Sequence, residues 1–217
     1  MIGLSLVEVQ KLLCIGAHCD DIEIGAGGTI LRAVRDNPDL EIRWVVFSTN
    51  DERMSEAESS AEQFLAGSSG TEVVIRRFRE NYFPCHAGEI KEFMSELGRD
   101  YEPDLILTHH RGDFHQDHRL LAELTWNTFR DHLILEYEIP KWDGDLGTPN
   151  VFSPIPTELS EKKIEILMSC FESQRRRDWF TEDLFHSMMR IRGMECRSPS
   201  LLAEGFYGPK VLLGDFL

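Results

Sequence analysis

Two short polar clusters contain the residue types that metal-dependent hydrolysis requires. The first is His-Cys-Asp-Asp at residues 18–21, and the second is His-Gln-Asp-His at residues 115–118. Each cluster follows an apolar run typical of a buried strand, where a core-building pattern would not place charged side chains. His18, Asp21 and His118 together supply two imidazoles and a carboxylate, a set suited to catalytic zinc that leaves a fourth position for water. The clusters therefore predict a zinc site.

The other polar side chains of the clusters supply the remaining chemistry of an amide hydrolase. Asp20 is the candidate general base, because a carboxylate beside zinc-bound water accepts its proton. His115 is the candidate donor to the developing oxyanion, and Asp117 is a candidate to orient an imidazole from behind the metal ligands. Fe(II) accepts the same ligand set, so the native metal stays open between zinc and iron. Either cluster alone is more typical of a solvated turn, and the prediction depends on both lying in one place.

The elements around the clusters predict how they meet. Apolar or β-branched runs predict strands at residues 11–17, 42–49, 71–78, 104–110 and 133–139. Helical patterns lie at residues 25–36, 54–66 and 87–99, then from a cap at Ser160 onward and at 181–192. This alternation predicts a doubly wound, mostly parallel, Rossmann-like α/β sheet with helices on both faces. Ligands bind such sheets beyond the carboxyl ends of the strands, so the strand order 3-2-1-4-5 would bring both clusters to one crevice.

Two further features lie beside the predicted crevice. His109 and His110 end the fourth strand, and because consecutive strand residues point to opposite faces, at most one of them faces the crevice. Neither is expected to bind the metal. The stretch 140–156 is rich in proline and glycine and is expected to be a long loop that decides the substrate. Its candidate pocket residues are Trp142, Asn150 and Phe152.

Composition limits the class of protein and its partners. A length of 217 residues predicts one domain spanning residues 1–217. The 38 acidic and 23 basic residues give a net charge of −15, which disfavours nucleic acid and anionic membranes as partners. Neither a membrane-spanning segment nor a signal peptide is evident, and the five cysteines form no CxxC pair, so a cytoplasmic protein with reduced thiols is expected. A homo-oligomer is compatible with these features.

The chain resembles the GlcNAc-PI de-N-acetylase and LmbE-like (PIG-L) family of metal-dependent deacetylases. The resemblance rests on GAHCDDIEIGAGGTI at residues 16–30 and on GDFHQDHR at residues 112–119, which correspond to the family's AHPDD and HxDH motifs. Weaker similarity occurs at Ser173-Gln174 and at residues 203–206, so the resemblance covers nearly the whole chain. It implies the LmbE-like version of the predicted fold and an N-acetylated sugar or glycoconjugate as substrate.

Carried over position by position, the resemblance assigns the same roles as the residue chemistry. It implies that His18, Asp21 and His118 bind zinc, that Asp20 is the general base, and that His115 stabilises the tetrahedral intermediate. It also implies that an arginine after the second strand binds the substrate, and Arg53 is the candidate for this role, although an exposed loop arginine is often only an ion-pair partner.

One residue departs from the family pattern. Cys19 stands where the family has proline, so the loop loses a fixed φ and gains a thiol. The expected role of Cys19 is to space His18 from Asp20, and contact with the metal or redox sensitivity are the alternatives. Its presence also keeps open a catalytically silent, metal-binding homologue.

A nucleotide-binding module is the second alternative to an enzyme. The chain disfavours it, because Gly25, Gly27 and Gly28 form GxGG at a helix start rather than GxGxxG after a strand, and no GxxxxGK[ST] occurs. The sequence therefore predicts a zinc-dependent hydrolase that acts on a linear amide bond and removes an N-acetyl group from an amino-sugar-containing substrate.

Overall fold

A computed structural model describes residue 3 and residues 5–212, which form seven strands and six α-helices. The strands are β1 (Lys11–Gly16), β2 (Glu41–Val46), β3 (Gly70–Ile75), β4 (Leu105–His109), β5 (Leu133–Tyr137), β6 (Val151–Pro154) and β7 (Ala203–Tyr207). The α-helices are α1 (Asp21–Asp36), α2 (Asp51–Leu65), α3 (Ala87–Asp100), α4 (Gln116–Thr128), α5 (Thr157–Cys170) and α6 (Glu182–Glu195). Among the described residues, no helix is both long enough and apolar enough to cross a membrane.

The strands form one sheet in the order β3-β2-β1-β4-β5-β7-β6. The first five are parallel, and β1 lies between β2 and β4, with Cys14 opposite Leu107. This confirms the predicted doubly wound sheet and the order of its first five strands. The last two strands are antiparallel additions: β7 pairs with β5, and β6 pairs with β7.

Side-chain alternation along the central strands builds a separate core on each face of the sheet. In β1, Leu12 and Cys14 pack with residues of α1, α2 and α5, whereas Leu13 and Ile15 pack with residues of α3 and α4. The buried runs of β1 and β4 are nearly continuous in apolar residues because both faces are covered. Helices therefore lie on both faces, as predicted.

Two local predictions were wrong, and one helix was missed. The stretch 140–156 is not all loop, because its last part forms the short strand β6. Ser160 does not cap α5: the helix begins three residues earlier, directly after Pro156, and Ser160 is buried inside its first turns. α4 was not predicted. Its first turn consists of the polar cluster, so the buried apolar residues Leu121 and Ala122 that follow do not give a clear helical pattern.

The glycines of α1 permit close packing of this helix. A Cβ added at Gly25 would lie 2.2 Å from the ring of Tyr137, and one at Gly27 would lie 2.6 Å from the ring of Phe64. Any larger residue would push α1 away from these aromatic rings. This packing role accounts for the GxGG pattern without a nucleotide. The prediction of a single domain over residues 1–217 stays a prediction.

Candidate active site

The first polar cluster forms the turn between β1 and α1. β1 ends at Gly16, His18 lies in the turn, Asp20 is the last residue before the helix, and Asp21 is its first residue. Oδ2 of Asp21 accepts a hydrogen bond from the backbone N–H of His18 at 2.7 Å, which closes the turn. All three polar side chains of this turn are buried, at 6% exposure or less.

The second polar cluster forms the start of α4, at the carboxyl end of β4. His115 caps the helix, since its Nδ1 accepts a hydrogen bond from the backbone N–H of Asp117 at 3.2 Å. Asp117 and His118 therefore lie in the first helical turn and point toward the first cluster. Oδ2 of Asp117 is 3.2 Å from Nε2 of His18, so this carboxylate contacts an imidazole of the first cluster.

Three side-chain atoms from the two clusters converge. Nδ1 of His18 lies 3.2 Å from Nε2 of His118 and 3.3 Å from Oδ2 of Asp21, and the latter two atoms are 3.5 Å apart. Ligand atoms held at about 2.0–2.1 Å around a tetrahedral zinc ion lie about 3.3–3.4 Å from one another. The donor set and its spacing therefore fit a zinc-sized ion, and Fe(II) fits the same donors.

Asp113, which no sequence pattern distinguished, lies behind His118. Its Oδ2 is 3.0 Å from Nδ1 of His118, and its Oδ1 accepts from the backbone N–H of His115 at 2.7 Å. Lys141 is 3.0 Å from the same Oδ1. An aspartate before a helix is typical of ordinary turn chemistry, so only its position five residues before His118 signals this contact. Asp113 directs the free Nε2 of His118 toward Asp21.

His109 is the member of the consecutive pair that faces the crevice. It is fully buried, its Nε2 lies 3.3 Å from Oδ2 of Asp21, and its ring stacks on that of His118 with centroids 4.0 Å apart. His110 points to the opposite side, where its ring stacks on Tyr207. Potential ligand atoms of Asp21, His109 and His118 lie within 4.8 Å of one another, so His109 is closer to the candidate metal site than expected.

Arg53 is a buried partner of Asp20. It lies in the first turn of α2, where Asn50 caps the helix by accepting from the Arg53 backbone N–H at 2.9 Å. Its guanidinium donates to Oδ1 of Asp20 at 2.6 Å. Burial opposes the charge of Arg53, but Asp20 outweighs this effect and raises the pKa of the guanidinium, so Arg53 is a buried cation. The expectation that Arg53 lies in an exposed loop was wrong.

Burial and neighbouring charges shift the pKa values of the three proposed metal ligands. Burial and the neighbouring His109 lower the pKa of His118 to about 3, so this imidazole is neutral. Burial opposes ionisation of Asp21, but the surrounding imidazoles, of which His118 has the largest effect, hold its pKa well below the usual range. Burial disfavours the cationic form of His18, yet Asp21 and Asp117 together raise its pKa to about 10. A metal ion binding there would therefore displace a proton from His18.

The side chain of Cys19 points into the core rather than toward the polar side chains of His18, Asp20 and Asp21. Its thiol donates toward the carbonyl oxygen of Ser48 at 3.3 Å and lies 3.2 Å from the hydroxyl of Thr49, at the end of β2. The side chain is fully buried in the core that contains α1 and α2. Burial raises the pKa of the Cys19 thiol to about 12, so the sulfur is a protonated core atom rather than a nucleophile.

Two candidate pocket residues of the 140–156 stretch, Trp142 and Asn150, lie in different surroundings. Trp142 is 71% exposed, and its ring meets that of Trp179 edge-on with centroids 6.3 Å apart. Asn150 instead lines a separate groove with His110, Arg111, Glu136 and Tyr207. The substrate-determining role of this stretch stays a prediction.

Comparison with known proteins places the chain in a family. The sequence model of the GlcNAc-PI de-N-acetylase (PIG-L) family matches residues 13–129, which is more than half of the 217 residues. The chain belongs to this family. The matched segment contains both polar clusters and Arg53. No curated protein shows significant sequence similarity to the chain.

Solved structures share the fold at low sequence identity. N,N'-diacetylchitobiose deacetylase from Pyrococcus horikoshii is 22% identical, with a TM-score of 0.68 over 92% of this chain and 83% of that one. The 4-carboxy-2-hydroxymuconate hydratase of Pseudomonas putida KT2440 is 18% identical, with a TM-score of 0.77 over 96% and 99%. A zinc-inhibited form of teicoplanin deacetylase is 14% identical, with a TM-score of 0.66 over 91% and 95%. Deacetylases and a hydratase therefore share this fold.

Proposed function

We propose that this protein is a metal-dependent amide hydrolase that removes an N-acetyl group from an amino-sugar-containing substrate. One observation carries the proposal: Nδ1 of His18, Oδ2 of Asp21 and Nε2 of His118 converge within 3.5 Å of one another, with Asp20 on the same turn. Membership of the GlcNAc-PI de-N-acetylase family supports the substrate class. The substrate is a small N-acetylated sugar or glycoconjugate.

His18, Asp21 and His118 would hold the ion, and Asp113 orients His118 by binding its Nδ1. Zinc is the proposed metal and Fe(II) the alternative, because both accept nitrogen and carboxylate ligands. When bound, such an ion polarises the acetamide carbonyl and lowers the pKa of a coordinated water. Asp117 positions His18 through its Nε2.

Asp20 is the proposed general base. Arg53 donates to its Oδ1 at 2.6 Å, which leaves Oδ2 to take a proton from the attacking water. The same carboxyl then returns that proton to the nitrogen as the amide bond breaks and the amine departs. Arg53 fixes the orientation of the Asp20 carboxyl group through this hydrogen bond, and its remaining guanidinium nitrogens are the proposed substrate contact.

His115 is the proposed donor to the oxyanion. Its Nδ1 accepts from the backbone N–H of Asp117, so its proton lies on Nε2. Burial, and then the charge of nearby His18, lower the pKa of His115, so it acts as a neutral donor. Its ring lies edge-on to His18 with centroids 4.9 Å apart, and this proximity to a proposed metal ligand supports the role.

The first experiment measures bound metal and released amine on the same preparations. We expect about one zinc or iron per chain, and free amine from N-acetylglucosamine or N,N'-diacetylchitobiose. The double variant His18→Ala, His118→Ala should lose both signals, and the exposed His186→Ala is the matched control that should retain both.

Three results would overturn the proposal. Metal binding without amine release from any N-acetylated sugar would favour the catalytically silent homologue. Hydration of an unsaturated carboxylic acid without amide cleavage would favour a hydratase, a class that this fold also contains. Binding of a nucleotide without either metal binding or amide cleavage would favour a nucleotide-binding module. The cytoplasmic location and a homo-oligomeric state stay predictions.

A further inference from the structure

Asn81 adopts an unusual backbone conformation beside the second polar cluster. It lies between β3 and α3 with φ of 65°, in the left-handed region that asparagine tolerates better than most residues. Non-glycine residues persist in this region where the surrounding structure holds them, and such residues are enriched at functional sites. The contacts of Asn81 identify what holds it.

Three of the polar groups of Asn81 contact the start of α4. Its Oδ1 lies 3.1 Å from Nε2 of His115, and its backbone N–H donates to Oδ2 of Asp117 at 2.6 Å. Its backbone carbonyl accepts from the side-chain amide of Gln116. The same Oδ2 of Asp117 lies 3.2 Å from His18, so Asn81 adjoins both the proposed oxyanion donor and the support of a proposed metal ligand.

The hydrogen bonds of His115 determine which atom of Asn81 faces it. Nδ1 of His115 is an acceptor for the Asp117 backbone N–H, so a neutral ring carries its proton on Nε2. Nε2–H then needs an acceptor, and the amide oxygen of Asn81 is that acceptor. The Asn81 side chain thus helps to hold the ring of His115 in one orientation. In this orientation the single N–H of the neutral ring is on Nε2, the nitrogen proposed to donate to the oxyanion.

We propose that Asn81 is a positioning residue that holds the Nε2–H of His115 in place for the substrate. Before the substrate binds, Oδ1 of Asn81 accepts this proton, and during turnover the developing oxyanion replaces it as acceptor. The effect on turnover rests on the function proposed above, whereas the hydrogen bond between Asn81 and His115 does not.

One substitution distinguishes the contribution of the Asn81 side chain from that of its backbone. Asn81→Gly retains the freedom to adopt positive φ and both backbone hydrogen bonds, and removes only the amide. Asn81→Asp returns an acceptor oxygen of nearly the same shape. Leu201→Gly is the control, because Leu201 also has a left-handed φ, of 57°, in the turn between α6 and β7.

The test combines spectroscopy with kinetics on zinc-loaded protein. In histidine-labelled protein, the Nε2 proton of His115, assigned with His115→Gln, should resonate in the wild type and in Asn81→Asp. In Asn81→Gly this proton should exchange with water too fast to be observed. The turnover number of Asn81→Gly should fall about three- to tenfold, the range expected for one lost hydrogen bond, with KM and zinc content nearly unchanged. Leu201→Gly should match the wild type.

The possible outcomes separate this inference from the proposed function. An unchanged His115 resonance and turnover number in Asn81→Gly would overturn the inference, as would equal losses in Asn81→Gly and Asn81→Asp. Loss of zinc in Asn81→Gly would assign Asn81 a purely structural role. If the wild type cleaves no N-acetylated sugar while the resonance behaves as expected, the proposed function fails and the positioning of His115 by Asn81 stands.

Discussion

The guanidinium of Arg53 donates to Oδ1 of Asp20 across 2.6 Å, and both side chains are more than nine-tenths buried. This ion pair joins the turn after β1 to the first turn of α2, two segments that follow neighbouring strands. The carboxylate proposed as general base therefore has a fixed orientation that depends on a second strand-end segment.

Replacing Arg53 distinguishes a counter-charge from a substrate ligand. Arg53→Met leaves Asp20 as a buried carboxylate without its cation, which should lower the free energy of unfolding by about 3 kcal/mol or more. The turnover number should also fall at least about tenfold, because Asp20 loses its orientation. Urea unfolding and steady-state kinetics measure the two effects. If Arg53 serves only as a substrate ligand, KM alone will rise, and the stability and turnover number will not change.

Asp20→Asn tests the general base with the smallest change of shape. The amide oxygen still accepts from Arg53, so the turn should keep its structure and the protein its metal. The turnover number should fall at least about a hundredfold, the lower end for loss of a general base. Metal content measured on the same sample is the control. Turnover within a few-fold of the wild type would remove Asp20 from the mechanism.

Asp113 should support metal affinity without touching the metal. Asp113→Asn weakens the contact with Nδ1 of His118, so metal affinity measured by competition with a chromophoric chelator should fall about tenfold or more. Lys141→Met should have a smaller effect, because Lys141 contacts Asp113 and Asp145 and the substitution leaves the contact between Asp113 and His118 in place. The matched control is Asp143→Asn, at an exposed position in the same loop as Lys141. Equal affinities in all variants would contradict the role of Asp113.

Glu136 should make stability depend on pH. It is fully buried, and its Oε1 accepts from Arg111 at 2.7 Å and from Trp126 at 2.6 Å. Burial opposes its ionisation, but these donors and His110 outweigh burial and lower the pKa of Glu136 below its ordinary value of 4.5. A lowered pKa in the folded state stabilises the protein above that ordinary value, and this stabilisation is lost as pH falls through the folded-state pKa.

Urea unfolding at several pH values checks this dependence. At pH 7, Glu136→Gln should lower the free energy of unfolding by about 2 kcal/mol, because its amide group faces donors where the second carboxylate oxygen accepted. The difference from the wild type should shrink as the pH falls below 4.5. Glu123→Gln, at an exposed position on α4, should leave the curve unchanged. A difference that is independent of pH would contradict the assigned ionisation of Glu136.

The sequence by itself determined the parallel part of the fold and the location of the two polar clusters. Both were predictable because buried parallel strands are nearly continuous apolar runs, and because polar residues directly after them stand out. The alternation of strands and helices leaves few right-handed arrangements, and the observed order of the first five strands is one of them. β6, at the edge of the sheet, and β7, between β5 and β6, were missed because short strands containing proline, glycine and glutamate lack that pattern.

Only the tertiary structure decided which side chains meet within the site. Asp20 and Arg53 are 33 residues apart, and Asn81 and His115 are 34 apart, so no local periodicity records either contact. His109 resembles any other strand-end histidine until the pairing of β1 with β4 brings it against Asp21. These contacts arise because separate strand ends meet at one edge of the sheet, where hydrogen bonds and charges act between residues that are distant along the chain.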